Sequence, residues 1–217
     1  MPSHSSNANA APALIDDAIQ KRQERVADRG LFLKKFLAKG RAISSAVPSS
    51  KALVAGVLRE VDFSRPATIV ELGAGIGPVT EAVLDRIGPQ HRFVAVENDA
   101  DFCEVLRRRF PSLNLLQADA TRIAEPLHHL GITKVDYVLS GLPTPALPRR
   151  ALLRLMRWLH AAMTANGKFV QITVAPLFYR AFYERLFESV DYRMVWWNVP
   201  PGGVWRCKSP RASFARE

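Results

Sequence analysis

Two cysteines, Cys103 and Cys207, are all that the 217 residues contain, and they form no CxxC pair or other metal-like spacing. That scarcity argues against a disulfide framework and a zinc site, so no metal is expected, and it suits a reducing compartment. Long apolar runs are lacking too. "FVQITVAPLFY" is among the longest, well short of the roughly 20 residues that span a bilayer. The opening "MPSHSSNANAAPA" has no basic start followed by an apolar stretch, so it is not read as a secretory signal. Acidic residues are outnumbered, 20 against 30 Lys and Arg, for a formal net charge of +10. A surplus of that size points to an anionic partner.

What is present is a core and an uneven charge. Apolar residues make up 48% of the chain, enough to bury one domain of this length. Residues 21–41 carry eight basic and two acidic side chains, a net of +6, and residues 206–217 carry a net of +3. The basicity therefore sits near the two ends. In the first segment, "LFLKKFLAKGRAIS" puts Phe32, Leu33, Phe36 and Leu37 on one helical face, with Lys34, Lys35, Lys39 and Arg41 largely on the other. A cationic amphipathic helix suits an anionic membrane surface, and the competing reading packs its apolar face on the domain itself. The expected organisation is a disordered tail over 1–14, basic amphipathic helices over 15–47, the main domain over 48–208 and a basic tail over 209–217.

The main domain alternates strand and helix. "ATIVEL", "RFVAVEN", "LNLLQA", "KVDYVLS" and "GKFVQITV" read as strands, and "GPVTEAVLDRI", "ADFCEVLRRRF", "RRALLRLMRWLHAAM" and "APLFYRAFYERLF" as helices. "YRMVWWN" and "GGVWRC", joined by the turn-rich "VPPGG", predict an antiparallel edge hairpin. "SSKALVAGVLREV" predicts a preceding helix capped by the Ser49–Ser50 pair. The expectation is an α/β fold, a mostly parallel seven-stranded sheet with an antiparallel C-terminal hairpin and helices on both faces.

The chemistry-bearing residues fall at successive strand ends, where open α/β sheets bind ligands. "VELGAGIG" follows the first strand, with Gly73, Gly75 and Gly77 free to let the backbone approach a ligand. A nicotinamide fingerprint needs a glycine where Pro78 stands, and Glu71 suits a cationic or amino-bearing ligand better than a pyrophosphate. Glu97 and Asn98 end the second strand, and Asp119 and Ala120 follow the third. The spacing E-x-G-x-G-x-G resembles motif I of class I S-adenosylmethionine-dependent methyltransferases, which have a Rossmann-like fold. The resemblance implies that Glu71, Gly73, Gly75, Gly77, Glu97, Asn98, Asp119 and Ala120 bind S-adenosylmethionine. Glu97 would hold the ribose hydroxyls and Asp119 the adenine amino group, with S-adenosylhomocysteine as product.

The fourth strand end reads "SGLPTPALP". Its three prolines cannot continue a central strand, so a stiff loop begins there. Adenine-amino methylases place an aromatic after the corresponding proline, whereas this chain has Thr144. The chain resembles bacterial soluble-type phospholipid N-methyltransferases over nearly its whole length, through "SSAVPSSKAL", "ELGAGIGPVT", "SGLP" and "NVPPGGVW". It also resembles the ribosomal RNA adenine dimethyltransferases in motif I. The first resemblance implies methyl transfer to the amine of phosphatidylethanolamine at the inner face of the cytoplasmic membrane, with phosphatidylcholine as the end product. Ser140, Gly141, Leu142 and Pro143 would frame the acceptor, and Phe32, Lys34, Lys35, Phe36 and Lys39 would meet the anionic membrane. Nucleic acid is not expected as a partner. "TPAL" departs from that family's usual run, which leaves another amine-headed lipid, such as an ornithine lipid, as an alternative beside ribosomal RNA. Tyr179, Tyr183 and Tyr192 are further candidates near the amine, and packing is the commoner role for each. Arg150, Arg154 and Arg157 share a helical face after the acceptor loop, facing lipid phosphates or water.

Overall fold

A computed structural model describes residues 50–173, 179–196 and 202–214; the expected cationic segment with Phe32, Lys34, Lys35, Phe36 and Lys39 lies outside the described residues. Helix α1 (Lys51–Leu58) starts where Ser50 Oγ accepts from the Leu53 N–H at 3.2 Å, the cap expected from sequence. Strand and helix then alternate through β1 (Ala67–Leu72), α2 (Pro78–Leu84), β2 (His91–Glu97), α3 (Ala100–Arg109) and β3 (Leu115–Gln117). They continue through α4 (Ala124–His129), β4 (Val135–Ser140), α5 (Arg149–Ala162), β5 (Met163–Thr173) and α6 (Arg180–Leu186), and end with β6 (Phe187–Val195) and β7 (Gly202–Pro210). The short α4, "AEPLHH", has no counterpart in the sequence reading, because six residues with an internal proline show no helical period.

The strands form one seven-stranded sheet in the order β3-β2-β1-β4-β5-β7-β6. The first five run parallel, and β7 runs antiparallel to both β5 and β6. The order reverses between β1 and β4, where Leu72 pairs with Ser140, so the loops leaving these two strands flank the crevice that such sheets use for ligands. The hairpin is longer than expected. Phe187 pairs with Pro210, and the Arg211 N–H donates to Leu186 O at 2.9 Å, so the domain runs past residue 208.

Strand periodicity builds two cores. Along β1, Ala67 and Ile69 point to one side and Val70 and Leu72 to the other, and β2 divides Phe93 and Ala95 from Val94 and Val96 in the same way. Helices α1, α2 and α3 cover the first face, and α4, α5 and α6 the second. A buried carboxylate latches α1 to the hairpin edge: Glu60, 5% exposed, meets Arg206 at 3.4 Å and both Lys168 and Arg193 at 3.8 Å. Three cations around one buried anion offset its desolvation, which an unpaired carboxylate would bear alone.

Candidate active site

The loop after β1 is held from below. Gly73, Gly75 and Gly77 take left-handed φ of 74°, 58° and 84°, and the Gly73 and Ala74 N–H groups donate to Val96 O of β2. Glu71 shares the face of Ala67 and Ile69 and is turned into the protein, 3% exposed, where Thr80 of α2 donates to its Oε2 at 2.6 Å. Burial pushes its carboxyl up to about 8; the Thr80 hydrogen bond opposes that shift, and the nearby Glu97 charge adds to it. At neutral pH Glu71 is therefore mostly a neutral group under the loop.

Glu97 ties the loops of β1 and β2 together. Its Oε2 accepts from the Gly75 N–H at 2.8 Å, and its Oε1 from the N–H groups of Asn98 and Asp99 at 2.8 and 2.9 Å. Three backbone donors fix an otherwise mobile carboxylate, which keeps about one of its four lone-pair positions for a further hydroxyl. Asn98 contributes its backbone, and its side chain is exposed. Asp119 is exposed at the end of the third strand's loop, with Oδ1 accepting from the Thr121 N–H and hydroxyl at 2.8 and 2.9 Å. Ala120 is buried in the core beneath it, 7% exposed. Arg154, one of the three arginines expected on an outer face, instead turns inward, its Nη2 donating to Thr121 Oγ1 at 3.3 Å.

The acceptor loop lies directly against the glycine loop. The Gly141 N–H donates to Leu72 O at 2.9 Å, and a Cβ on Gly141 would lie 2.9 Å from Gly73 O. Ser140 is fully buried, and its Oγ accepts from the Leu142 N–H at 3.3 Å, so it shapes the turn. Leu142 O accepts from the Thr144 N–H and from Gln171 Nε2, both at 2.8 Å, and Pro143 O accepts from the Ala146 N–H. These two carbonyls are already engaged by the protein.

Gln171 and Thr144, which brace this loop, are the candidate-site residues whose part sequence reasoning missed. Gln171 of β5 is 1% exposed; its Nε2 also reaches Ile172 O, and its Oε1 accepts from Thr144 Oγ1 at 2.6 Å. The available signal was a single amide in the apolar run "FVQITV", since a buried polar group needs partners. Tyr183 is 1% exposed, shares a hydrogen bond with Thr144 and packs 5.4 Å from Trp205. Burial pushes its phenol well above the usual range, so it braces the loop and stays protonated. Tyr192 packs on Trp205 at 4.6 Å, and Tyr179 is half-buried against the same core. Packing is thus the role observed for these tyrosines.

Comparison with known proteins places this geometry. A family model described as ribosomal RNA adenine dimethylase matches residues 45–128. The ornithine lipid N-methyltransferase of Singulisphaera acidiphila is 36% identical over 187 residues, covering 85% of this chain and 97% of that protein. The chain belongs to the class I S-adenosylmethionine-dependent methyltransferases. The methyltransferase is also 35% identical over 101 residues to ribosomal RNA small subunit methyltransferase A of a Synechococcus species, covering 42% of this chain and 35% of that one. It therefore spans about a third of the length of that relative. The fold matches a solved 1,6-didemethyltoxoflavin-N1-methyltransferase of Burkholderia thailandensis with bound S-adenosylhomocysteine, at a TM-score of 0.54 and 14% identity over 97% of this chain and 94% of that one. The chemistry of this methyltransferase is S-adenosylmethionine-dependent N-methyl transfer. The residues present fit that cofactor: a fixed, ionisable Glu97 with acceptor capacity at the end of β2, Asp119 beyond β3, and a glycine loop between them.

Three outcomes are expected. Glu71 loses its proton near pH 8 in the fold and near 4.5 when unfolded, so its contribution to stability is full below pH 4.5 and is lost as the pH rises towards 8. Glu71→Gln should therefore gain a few kcal/mol on the wild type between pH 5 and 8 in melting experiments, and parallel pH profiles would refute the neutral assignment. Glu97→Gln should fold and weaken S-adenosylmethionine binding about 10- to 100-fold by calorimetry; undiminished affinity would remove Glu97 from the cofactor site. Gln171→Leu should lower kcat/KM for the acceptor about 10- to 100-fold with cofactor affinity unchanged, and equal loss of both would show a general defect instead.

Proposed function

We propose that this methyltransferase acts on the terminal amine of an ornithine lipid or a closely related amine-headed lipid. The observation that carries this is the near full-length relative, whose name is that of an ornithine lipid enzyme. Phosphatidylethanolamine, the head group first expected from the sequence, becomes the second substrate to test. The ribosomal RNA likeness has a different reach. Its family model ends at residue 128, twelve residues before Ser140, so it covers the cofactor half of the fold and stops short of the acceptor loop. The acceptor loop offers no ring after Pro143 for a base to stack on, because Thr144 is 1% exposed and bonded to Gln171.

When bound, S-adenosylmethionine supplies a methyl group on a positively charged sulfur and leaves as neutral S-adenosylhomocysteine. Glu97 would accept from a ribose hydroxyl and Asp119 from the adenine amine. The loop of residues 140–148 would position the acceptor nitrogen, and rigid placement is a main source of rate in such a displacement. That loop carries no carboxylate, imidazole or amine, so it provides no general base. The acceptor amine would give its proton to bulk water before the transfer and attack in its neutral form, becoming a methylated ammonium as the methyl–sulfur bond breaks, so the rate should rise with pH as the neutral fraction grows.

The deciding assay supplies labelled S-adenosylmethionine with ornithine lipid, phosphatidylethanolamine and unmethylated ribosomal RNA in parallel. Label is expected in ornithine lipid. Label in phosphatidylethanolamine alone would move the head group, and label in RNA alone would overturn the lipid reading.

A further inference from the structure

We propose that Arg154 is a positioning residue of the cofactor site: through Thr121 it aims the Asp119 carboxylate, and so sets how strongly the site selects a purine bearing a 6-amino group. The inference rests on the assignment of Asp119 to the adenine amine and does not depend on which acceptor is methylated. Three contacts form the chain. Arg154 Nη2 donates to Thr121 Oγ1 at 3.3 Å. The Thr121 hydroxyl and N–H both donate to Asp119 Oδ1, at 2.9 and 2.8 Å.

The chemistry of the three groups fixes the direction of each bond. A guanidinium has donors only, so the Thr121 hydroxyl must accept from Arg154 and is left with its single proton for Asp119. Without the arginine that hydroxyl is a rotor, free to turn its proton elsewhere. Thr121 is 7% exposed, so water competes little for either bond. A bond donated by a charged group also strengthens the next one in line. Two donors on Oδ1 leave Oδ2 as the acceptor for a ligand amine. Arg122 Nε lies 3.8 Å from Oδ2, beyond hydrogen-bond reach.

Two further observations separate this role from packing. The backbone of the third strand's loop is held independently, since the Arg122 N–H donates to Asp119 O at 2.8 Å and both Ala120 and Ile123 are buried in the core. Arg154 Nε, in turn, is buried and meets no acceptor among the described residues. A buried N–H without a partner costs stability, so an unbranched apolar side chain would serve packing at least as well. What the guanidinium adds is a charged donor against Thr121.

The test is calorimetric and uses the full chain with two probes, S-adenosylhomocysteine and its analogue carrying hydrogen in place of the purine 6-amino group. The readout is the ratio of the two affinities, expected to favour the amine about 10- to 100-fold in the wild type. Asp119→Ala should bring that ratio to about one. Arg154→Met and Thr121→Val should each lower it about three- to tenfold, with affinity for the analogue lacking the amine within about twofold of wild type. The double variant should fall no further than either, and Thr121→Ser, which keeps the hydroxyl, should retain the wild-type ratio. The melting temperature of Arg154→Met should hold or rise, because a buried unmet N–H is removed. A wild-type ratio in Arg154→Met, beside a lost one in Asp119→Ala, would overturn the positioning role alone. Equal losses for both probes would also overturn it and leave Arg154 a structural contact. No discrimination by the wild type, or an unchanged ratio in Asp119→Ala, would remove Asp119 from the adenine amine, and the proposal would fall with it.

Discussion

The backbone contact between Gly73 and Gly141 is the constraint on which the rest of the site depends. At the switch point of the sheet the Gly141 N–H reaches Leu72 O at 2.9 Å, and the two glycines face each other with no room for a side chain between them. A Cβ on Gly73 would come within 3.0 Å of Leu142 Cδ2, and one on Gly141 within 2.9 Å of Gly73 O. The glycine loop after β1 and the loop after β4 are therefore one packed unit. Group transfer that relies on placement is sensitive to displacements of about 1 Å, which a fixed separation between the two loops would limit.

Polar groups buried at the strand ends hold that unit in place from both faces. On one face, Glu71 and Thr80 join β1 to α2. On the other, Gln171, Thr144 and Leu142 O join β5 to the acceptor loop. Glu97 spans the gap to β2 with three backbone donors. Polar networks inside a core are costly unless their members are paired, and when paired they select one arrangement. The prolines of "SGLPTPALP" act in the same sense, since fewer backbone conformations are lost on folding. Stiffness at the fourth strand end is thus supplied twice, by covalent restriction and by Gln171.

The parts legible in sequence were those set by local rules. Apolar runs marked β1, β2 and β4, the Ser50 cap marked α1, and the glycines with Glu97 marked the two strand-end loops that the Glu97 carboxylate joins. What escaped depended on partners distant in the chain. The ionisation of Glu71 is decided by Thr80 and by depth, which "VELGAGIG" does not display. Strand β5 starts at Met163, four residues before the expected Gly167, because Met163 pairs with Val135 across an irregularity that resumes at Tyr137 and Lys168. Arg154 looked like a member of an outer stripe, yet it turns to Thr121, since its position on α5 faces the third strand's loop.

The ribosomal RNA adenine dimethylase model matches as far as residue 128, before β4, and leaves the loop of residues 140–148 outside it. In that loop the position after Pro143 is the one at which a stacking ring would stand. A ring after Pro143 would face outward and offer a surface to a flat base, whereas Thr144 faces inward and completes a hydrogen-bond chain with Gln171 and Tyr183. Turning that residue inward removes a stacking platform and rigidifies the loop at once. What is left at the fourth strand end is a firm rim of backbone and proline packed against the glycine loop.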